Sequence, residues 1–239
     1  MTGALKILCI AVLLTASHLA GAATKTKVYV LGTLYSAHAN TPAYTTDVLK
    51  RVILDINPDV LVLDVTPDEF RNRRVHESKI EYSEAIFPYL AETRITAYPA
   101  EPDEPAFSEI QTKIQAILKH SEQTNPNQNA TLDAYELATF KALALHWKSV
   151  AAVQDHTTSR ALASRSELFN TLNPGFAKIA EDWDAHTAQA GLRAAKSHPG
   201  KRVLILTGIQ NRASIQKRMQ SHRELDVVDI EVWLQERGH

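Results

Sequence analysis

Apolar residues fall in two rhythms along this chain. Short apolar runs stand at Val28–Leu31, Val60–Val65 (interrupted only by Asp64) and Val203–Leu206, rich in β-branched residues. Runs of this kind predict strands buried on both faces. Elsewhere apolar positions recur every three or four residues, as in Val48, Leu49, Val52, Ile53 and Ile56, or Phe107, Ile110, Ile114, Ile117 and Leu118. That spacing predicts amphipathic helices. The first helix stops at Asn57-Pro58, because a residue before proline avoids the helical region.

The order strand, helix, strand near the N-terminus is a βαβ unit, which implies parallel pairing and a right-handed crossover. A helix through Ile80, Ala85, Ile86, Tyr89 and Leu90 and a weak strand at Arg94–Tyr98 follow. Pro67 opens a polar loop or short helix, and Pro99–Pro105, with three prolines and three acids, reads as a loop. So does Ser121–Asn129, the most polar stretch. Thr131 then caps a long helix carrying Leu132, Tyr135, Phe140, Leu143, Trp147 and Val150. Further helices are expected over Ser159–Leu168, Pro174–Lys196 and Arg212–His222, and strands at Arg202–Thr207 and Val227–Leu234. The fold class is α/β: a mixed or mostly parallel central sheet flanked by helices, with an all-helical insertion in the middle third.

The N-terminus reads differently. Lys6, an apolar core at Ile7–Leu14 and the small residues Ala20-Gly21-Ala22 form a signal-peptide pattern over residues 1–22, with cleavage expected after Ala22 or Ala23. The core is too short for a stable span. Residues 24–239 are then one α/β domain, exported to the periplasm or secreted, with no transmembrane segment. Cys9 is the only cysteine and leaves with the leader, so the mature chain has no thiol, disulfide or thiolate metal site. The net charge is -1. The densest basic patch, Arg71-Asn72-Arg73-Arg74, is too small a footprint for a nucleic-acid partner and reads as a solvated face.

No Walker A loop, Gly-x-Gly-x-x-Gly, Gly-x-Ser-x-Gly elbow or His-Glu-x-x-His helix occurs. Candidate chemistry comes from position instead. In open α/β sheets, ligands bind at the carboxyl ends of strands. Two runs end at glycines followed by polar groups: Gly32-Thr33-Leu34-Tyr35 and Gly208-Ile209-Gln210-Asn211. A glycine there permits a sharp turn. Asp64 ends a run expected to be buried, and a buried carboxylate needs a partner or a raised pKa. It serves either as a site residue or as a structural hydrogen-bond acceptor.

Val30-Leu31-Gly32-Thr33-Leu34-Tyr35, Val60-Leu61-Val62-Leu63-Asp64 and Arg202–Gly208 resemble the TraB/Tiki-like and erythromycin-esterase-like superfamily, with its ChaN-like and GumN-like branches. The resemblance runs through most of the mature chain. It implies a hydrolase fold, and in Tiki-type members a divalent metal. The family's motifs place His where this chain has Tyr35, His where it has Asn211, and Glu where it has Asp64. Neutral phenol and amide are poor replacements for imidazole, so a metal centre lacks its usual ligands here.

Two readings follow from that resemblance. One is a degenerate, non-catalytic member binding a small polar ligand or a protein partner through Gly32, Tyr35, Asp68, Glu69, Gly208, Asn211 and Arg212, with Arg212 at a helix start to meet an anion. The other is a divergent hydrolase, metal-assisted or not, that uses Asp64 with His38 brought back by its loop. Asp68 and Glu69 also suit the first turn of a helix on charge grounds alone. His146 sits beside Trp147 in a helix at the rim of the core, His156 and His186 have no spaced partner, and Asn129-Ala130-Thr131 is a glycosylation sequon only in a host that uses it.

Overall fold

A computed structural model describes residues 24–239. The expected leader therefore lies outside the described residues. The strands are β1 (Thr26–Thr33), β2 (Val60–Leu63), β3 (Thr96–Pro99), β4 (Arg202–Gly208) and β5 (Leu225–Val227). They form one sheet in the order β3-β2-β4-β1-β5, and every neighbouring pair is parallel. The last strand of the βαβ half, β2, thus leaves room beside β1 for β4, which arrives more than a hundred residues later in the chain.

Alternation along the strands divides the core. Leu31, Leu61, Leu63, Leu204 and Leu206 face one side, packed against helices α1 (Thr46–Ile56), α3 (Phe87–Thr93), α6 (Val150–Gln154) and α10 (Ile230–Glu236). Val28, Val30, Val60, Val62, Val203 and Ile205 face the other side, against α8 (Phe176–Ser197) and α9 (Ile209–Gln220). A strand covered on both faces has no polar face to show, which is why these runs are apolar throughout. The middle third is helical, as expected: α4 (Ala106–Thr124) packs on α8, and α5 (Pro126–His146) packs on α4 and on α7 (His156–Leu172). The short α2 (Pro67–Asn72) follows β2.

Five local expectations are corrected. The Ser121–Asn129 stretch is no loop. α4 runs to Thr124 and α5 starts at Pro126, with Asn125 alone between them. Proline is at home in a first helical turn, and polar residues suit two helices that lie largely in water. Thr131 is consequently inside α5, where its hydroxyl donates to the Asn127 carbonyl, and caps nothing. Pro174 precedes α8 rather than opening it.

The expected strand at Val227–Leu234 splits. β5 ends at Val227, and the Asp229 side chain then accepts from the Glu231 and Val232 amides to start α10. Ile230 and Leu234, the buried pair, are four apart, a helical spacing. The strand-end glycines also do not make the turns. Gly32 lies inside β1, and neither it nor Gly208 has a positive φ. The turn after β1 is made by Tyr35 itself, at φ 51, an unusual conformation for a bulky side chain. The glycines serve close approach instead. A Cβ on Gly32 would lie 2.9 Å from the Ile209 Cα, and one on Gly208 would lie 2.5 Å from the Tyr35 hydroxyl.

Candidate functional site

The sheet order sets the position of the site. The chain leaves β2 toward β3 on one side and leaves β4 toward β5 on the other. The carboxyl ends of β2 and β4 therefore flank a crevice. A cavity of about 830 Å³ opens there, walled by α4, α7, α8 and α9 and reached by Tyr35, Asp64 and Glu101 from the ends of β1, β2 and β3.

Asp64 is the junction. It follows β2 directly and is 2% exposed. Its Oδ2 accepts from the Tyr35 hydroxyl at 2.7 Å and from the Gly208 amide at 3.2 Å, so three strand ends meet on one carboxylate. The left-handed turn at Tyr35 lays its ring over Gly208, where no side chain would fit. Burial, and then the charge of Asp64, raise the Tyr35 hydroxyl well above the ordinary tyrosine range, so it stays a donor. The other oxygen of Asp64, Oδ1, is buried with no hydrogen-bond partner in the protein.

Below the junction lies a group of acids with a single ammonium. Lys79 donates to the Asp64 carbonyl at 2.7 Å and to Glu101 Oε1 at 2.6 Å, and its Nζ is 3.7 Å from Glu69 Oε2. Burial by itself would lower Lys79, but Glu101, Asp64 and Glu69 outweigh it and hold the ammonium protonated. Burial raises Glu101, and the neighbouring Asp64 charge adds to that, against the pull of Lys79. Glu81 is fully buried and neither of its oxygens has a hydrogen-bond partner. Burial pushes its carboxyl up to about 7, although the nearby Thr33 side chain favours the charged form. Tyr82, next in the chain, accepts the Asp64 amide at 2.8 Å.

Asn211 faces the same cavity from the first turn of α9 and donates to Asp184 Oδ1 at 2.7 Å. Tyr35, Asp64 and Asn211 therefore share one hollow. The other expected residues sit elsewhere. His38 is fully buried: its Nδ1 donates to the Tyr44 carbonyl at 2.6 Å and its Nε2 accepts from the Leu34 amide at 3.0 Å. Burial lowers its pKa, and this pair of bonds fixes one neutral tautomer. It clamps the turn after β1 and offers no free nitrogen to Asp64. Asp68 is exposed and paired with Arg71. Glu69 forms a capping box with Thr66 at the start of α2, accepts from the His76 amide at 3.3 Å and lies 3.7 Å from the Lys79 Nζ.

Arg212 is buried four residues into a helix that starts at Ile209. It donates to Gln216 and to Ser159 at 2.7 and 2.5 Å and does not line the cavity. Gly32 is likewise outside it: Gln154 bonds both its amide and its carbonyl, and Tyr44 bonds the carbonyl again. In the basic patch, Arg73 lies over the Phe70 ring, with its Cζ 4.2 Å from the centroid.

Lys79, Glu81, Glu101, Trp183 and Asp184 were not among the expected site residues. One signal pointed to Glu101: it lies two residues beyond β3, as Asp64 lies one beyond β2. Among the described residues, no group of three or more His, Cys, Asp or Glu side chains is arranged to hold a metal ion. No helix among them is long and apolar enough to cross a membrane. Comparison with family models, curated proteins and solved structures gives no match.

Proposed function

We propose that this chain is an exported binding protein for a small polar molecule, on a TraB/Tiki-like scaffold whose metal-ligating positions have been replaced. The observation that carries the reading is the Asp64 junction. A carboxylate held by Tyr35 and Gly208 at the meeting of three strand ends keeps one buried oxygen unused, beside a cavity of about 830 Å³. A buried acceptor without a donor is costly, and a ligand hydroxyl or ammonium would supply one. The volume is within the range of small-molecule sites. The replacement of two motif histidines by Tyr35 and Asn211, and the use of both His38 nitrogens in backbone bonds, favour binding over the Asp64–His38 hydrolase.

Amide NMR with a library of small polar fragments tests this. Shifts confined to Tyr35, Trp183, Asn211 and their neighbours, lost when Ala213→Trp fills the cavity, are expected. A library that leaves those amides still, or moves them equally in A213W, overturns it.

A second reading keeps hydrolysis and replaces His38 with Glu101. Glu101 is drawn toward its protonated form by burial and by Asp64, while Asp64 receives two hydrogen bonds. A carboxyl drawn toward its protonated form beside a second carboxyl is suited to the role of acid. Hydrolysis of an activated ester that disappears in both Glu101→Gln and Asp64→Asn would establish it; equal rates in all three chains would end it.

A further inference from the structure

We infer that the ligand of this cavity is an organic cation: a protonated amine carried on an apolar or aromatic body. This rests on the binding reading above and adds the chemical class. Asp64, Glu101, Glu167, Glu181 and Asp184 line the cavity against only two cations, Arg165 and Arg218. Both cations have carboxylate partners. Arg165 binds Glu136, and Arg218 lies 3.8 Å from Glu181. The surplus is thus negative. At the sheet end Lys79 alone faces Asp64 and Glu69, while Glu101 beside it is drawn toward its protonated form.

The free Asp64 oxygen is an independent pointer. It is a buried acceptor on a residue that lines the cavity, and the protein provides it with no donor. Lys79 bonds the Asp64 carbonyl and not this oxygen. An incoming ammonium would donate to Oδ1 and offset the like charges around it, which a neutral hydroxyl does only in part and an anion cannot do. The rest of the wall suits the body of such a molecule. Trp183, Phe176, Ile114 and Ile179 supply an apolar side, and aromatic faces attract cations as well as hydrocarbon. Arg218, also lining the cavity, has a buried Nε without a partner, a donor that suits a neutral carbonyl or hydroxyl on the same ligand.

Three matched probes decide the class: phenethylamine as its ammonium, 2-phenylethanol and phenylacetate. Each is titrated into the full mature chain at pH 7 and low salt, followed by Trp183 indole NMR shifts and calorimetry. The expected order is ammonium first, the alcohol at least roughly tenfold weaker, and the carboxylate without a saturable shift, as suits a hydrogen bond to a charged partner. Asp64→Asn should weaken the ammonium by roughly tenfold and the alcohol by a smaller factor. Raised salt should reduce the ammonium alone.

If the alcohol or the carboxylate equals or exceeds the ammonium at Trp183, the cation assignment fails while the pocket remains a binding site. If no probe moves Trp183 and the polar library also leaves it unmoved, both readings fail. Should the D64N chain not fold, the wild-type ranking of the three probes decides alone.

Discussion

The carboxyl end of the sheet and the α4–α5 hairpin are built on opposite terms. In β4, every residue but Arg202 is buried. In α5, of 21 residues, only Leu132 and Leu143 are. Leu137 and Leu145 stand 57% and 75% exposed on that helix. The sheet end is therefore specified by packing from both faces, and its geometry is over-determined. The hairpin holds by helix propensity and by packing of α5 on α7 and of α4 on α8 that buries few of its side chains. Packing of the first kind holds the Tyr35 ring over Gly208 at positive φ and leaves carboxyl oxygens of Asp64 and Glu81 without partners. This explains why the unusual groups, Tyr35, Asp64 and Glu81, all lie on the sheet side of the cavity.

The largest test of that contrast replaces a leucine on each side. Leu204 is fully buried in the central strand. Leu204→Ala should lower unfolding stability by about 2–5 kcal/mol, the usual cost of a core cavity. Leu137→Ala on α5 should change it by less than about 0.5 kcal/mol. Urea unfolding of both variants measures the pair. Equal losses would mean that the hairpin is as tightly specified as the sheet.

The next test uses pH. Glu81 is fully buried without a hydrogen-bond partner, and its folded carboxyl is raised from 4.5 to about 7, first of all by burial. The folded state therefore binds its proton more tightly than the unfolded chain does. The stabilisation is complete below about pH 4.5 and is lost as pH rises through about 7. Its size is at most about 3 kcal/mol for a shift of that order. Glu81→Gln removes the titration, so the difference in urea midpoint between E81Q and the wild type should grow in favour of E81Q between pH 5 and 8. A constant difference across that range would show that Glu81 is compensated by groups other than Thr33 and Lys79.

The same contrast accounts for what could be read from the sequence. The strands β1, β2 and β4 were legible because burial on both faces leaves an uninterrupted apolar run. Asp64 and Tyr35 followed from the rule that such runs end at a site. The α4–α5 junction was not legible, because a solvated helical hairpin has the same polar composition as a loop; only Pro126 carried the distinction. β5 and α10 merged for a related reason, since Val227–Leu234 is apolar at both spacings and Asp229 alone marks the break. Lys79, Glu81 and Glu101 stayed hidden because their meeting depends on sheet order. Nothing local shows that β3 lies beside β2 and brings Glu101 to Lys79. His38 misled because a histidine near a strand end looks the same whether it serves a substrate or two backbone groups.

The smallest of these effects probes how closely the sheet end is built. Gly32 has ordinary backbone angles, so a turn does not require it. It is required because α9 starts against it: a Cβ would come 2.5 Å from Ile209 Cδ1, 2.9 Å from Ile209 Cα and 3.2 Å from Gln154 Oε1. The Ile209 Cδ1 can rotate away, but the Cα is backbone at the first residue of α9 and moves only with the helix. Gly32→Ala should therefore cost about 1–3 kcal/mol, the range for overpacking, and should displace Asn211, two residues further along α9, relative to Tyr35. Thermal melting gives the first effect, and loss of fragment-induced shifts at Asn211 but not at Trp183 gives the second. A G32A chain that melts with the wild type would show that α9 shifts without resistance, and the sheet end would then be no better determined than the hairpin.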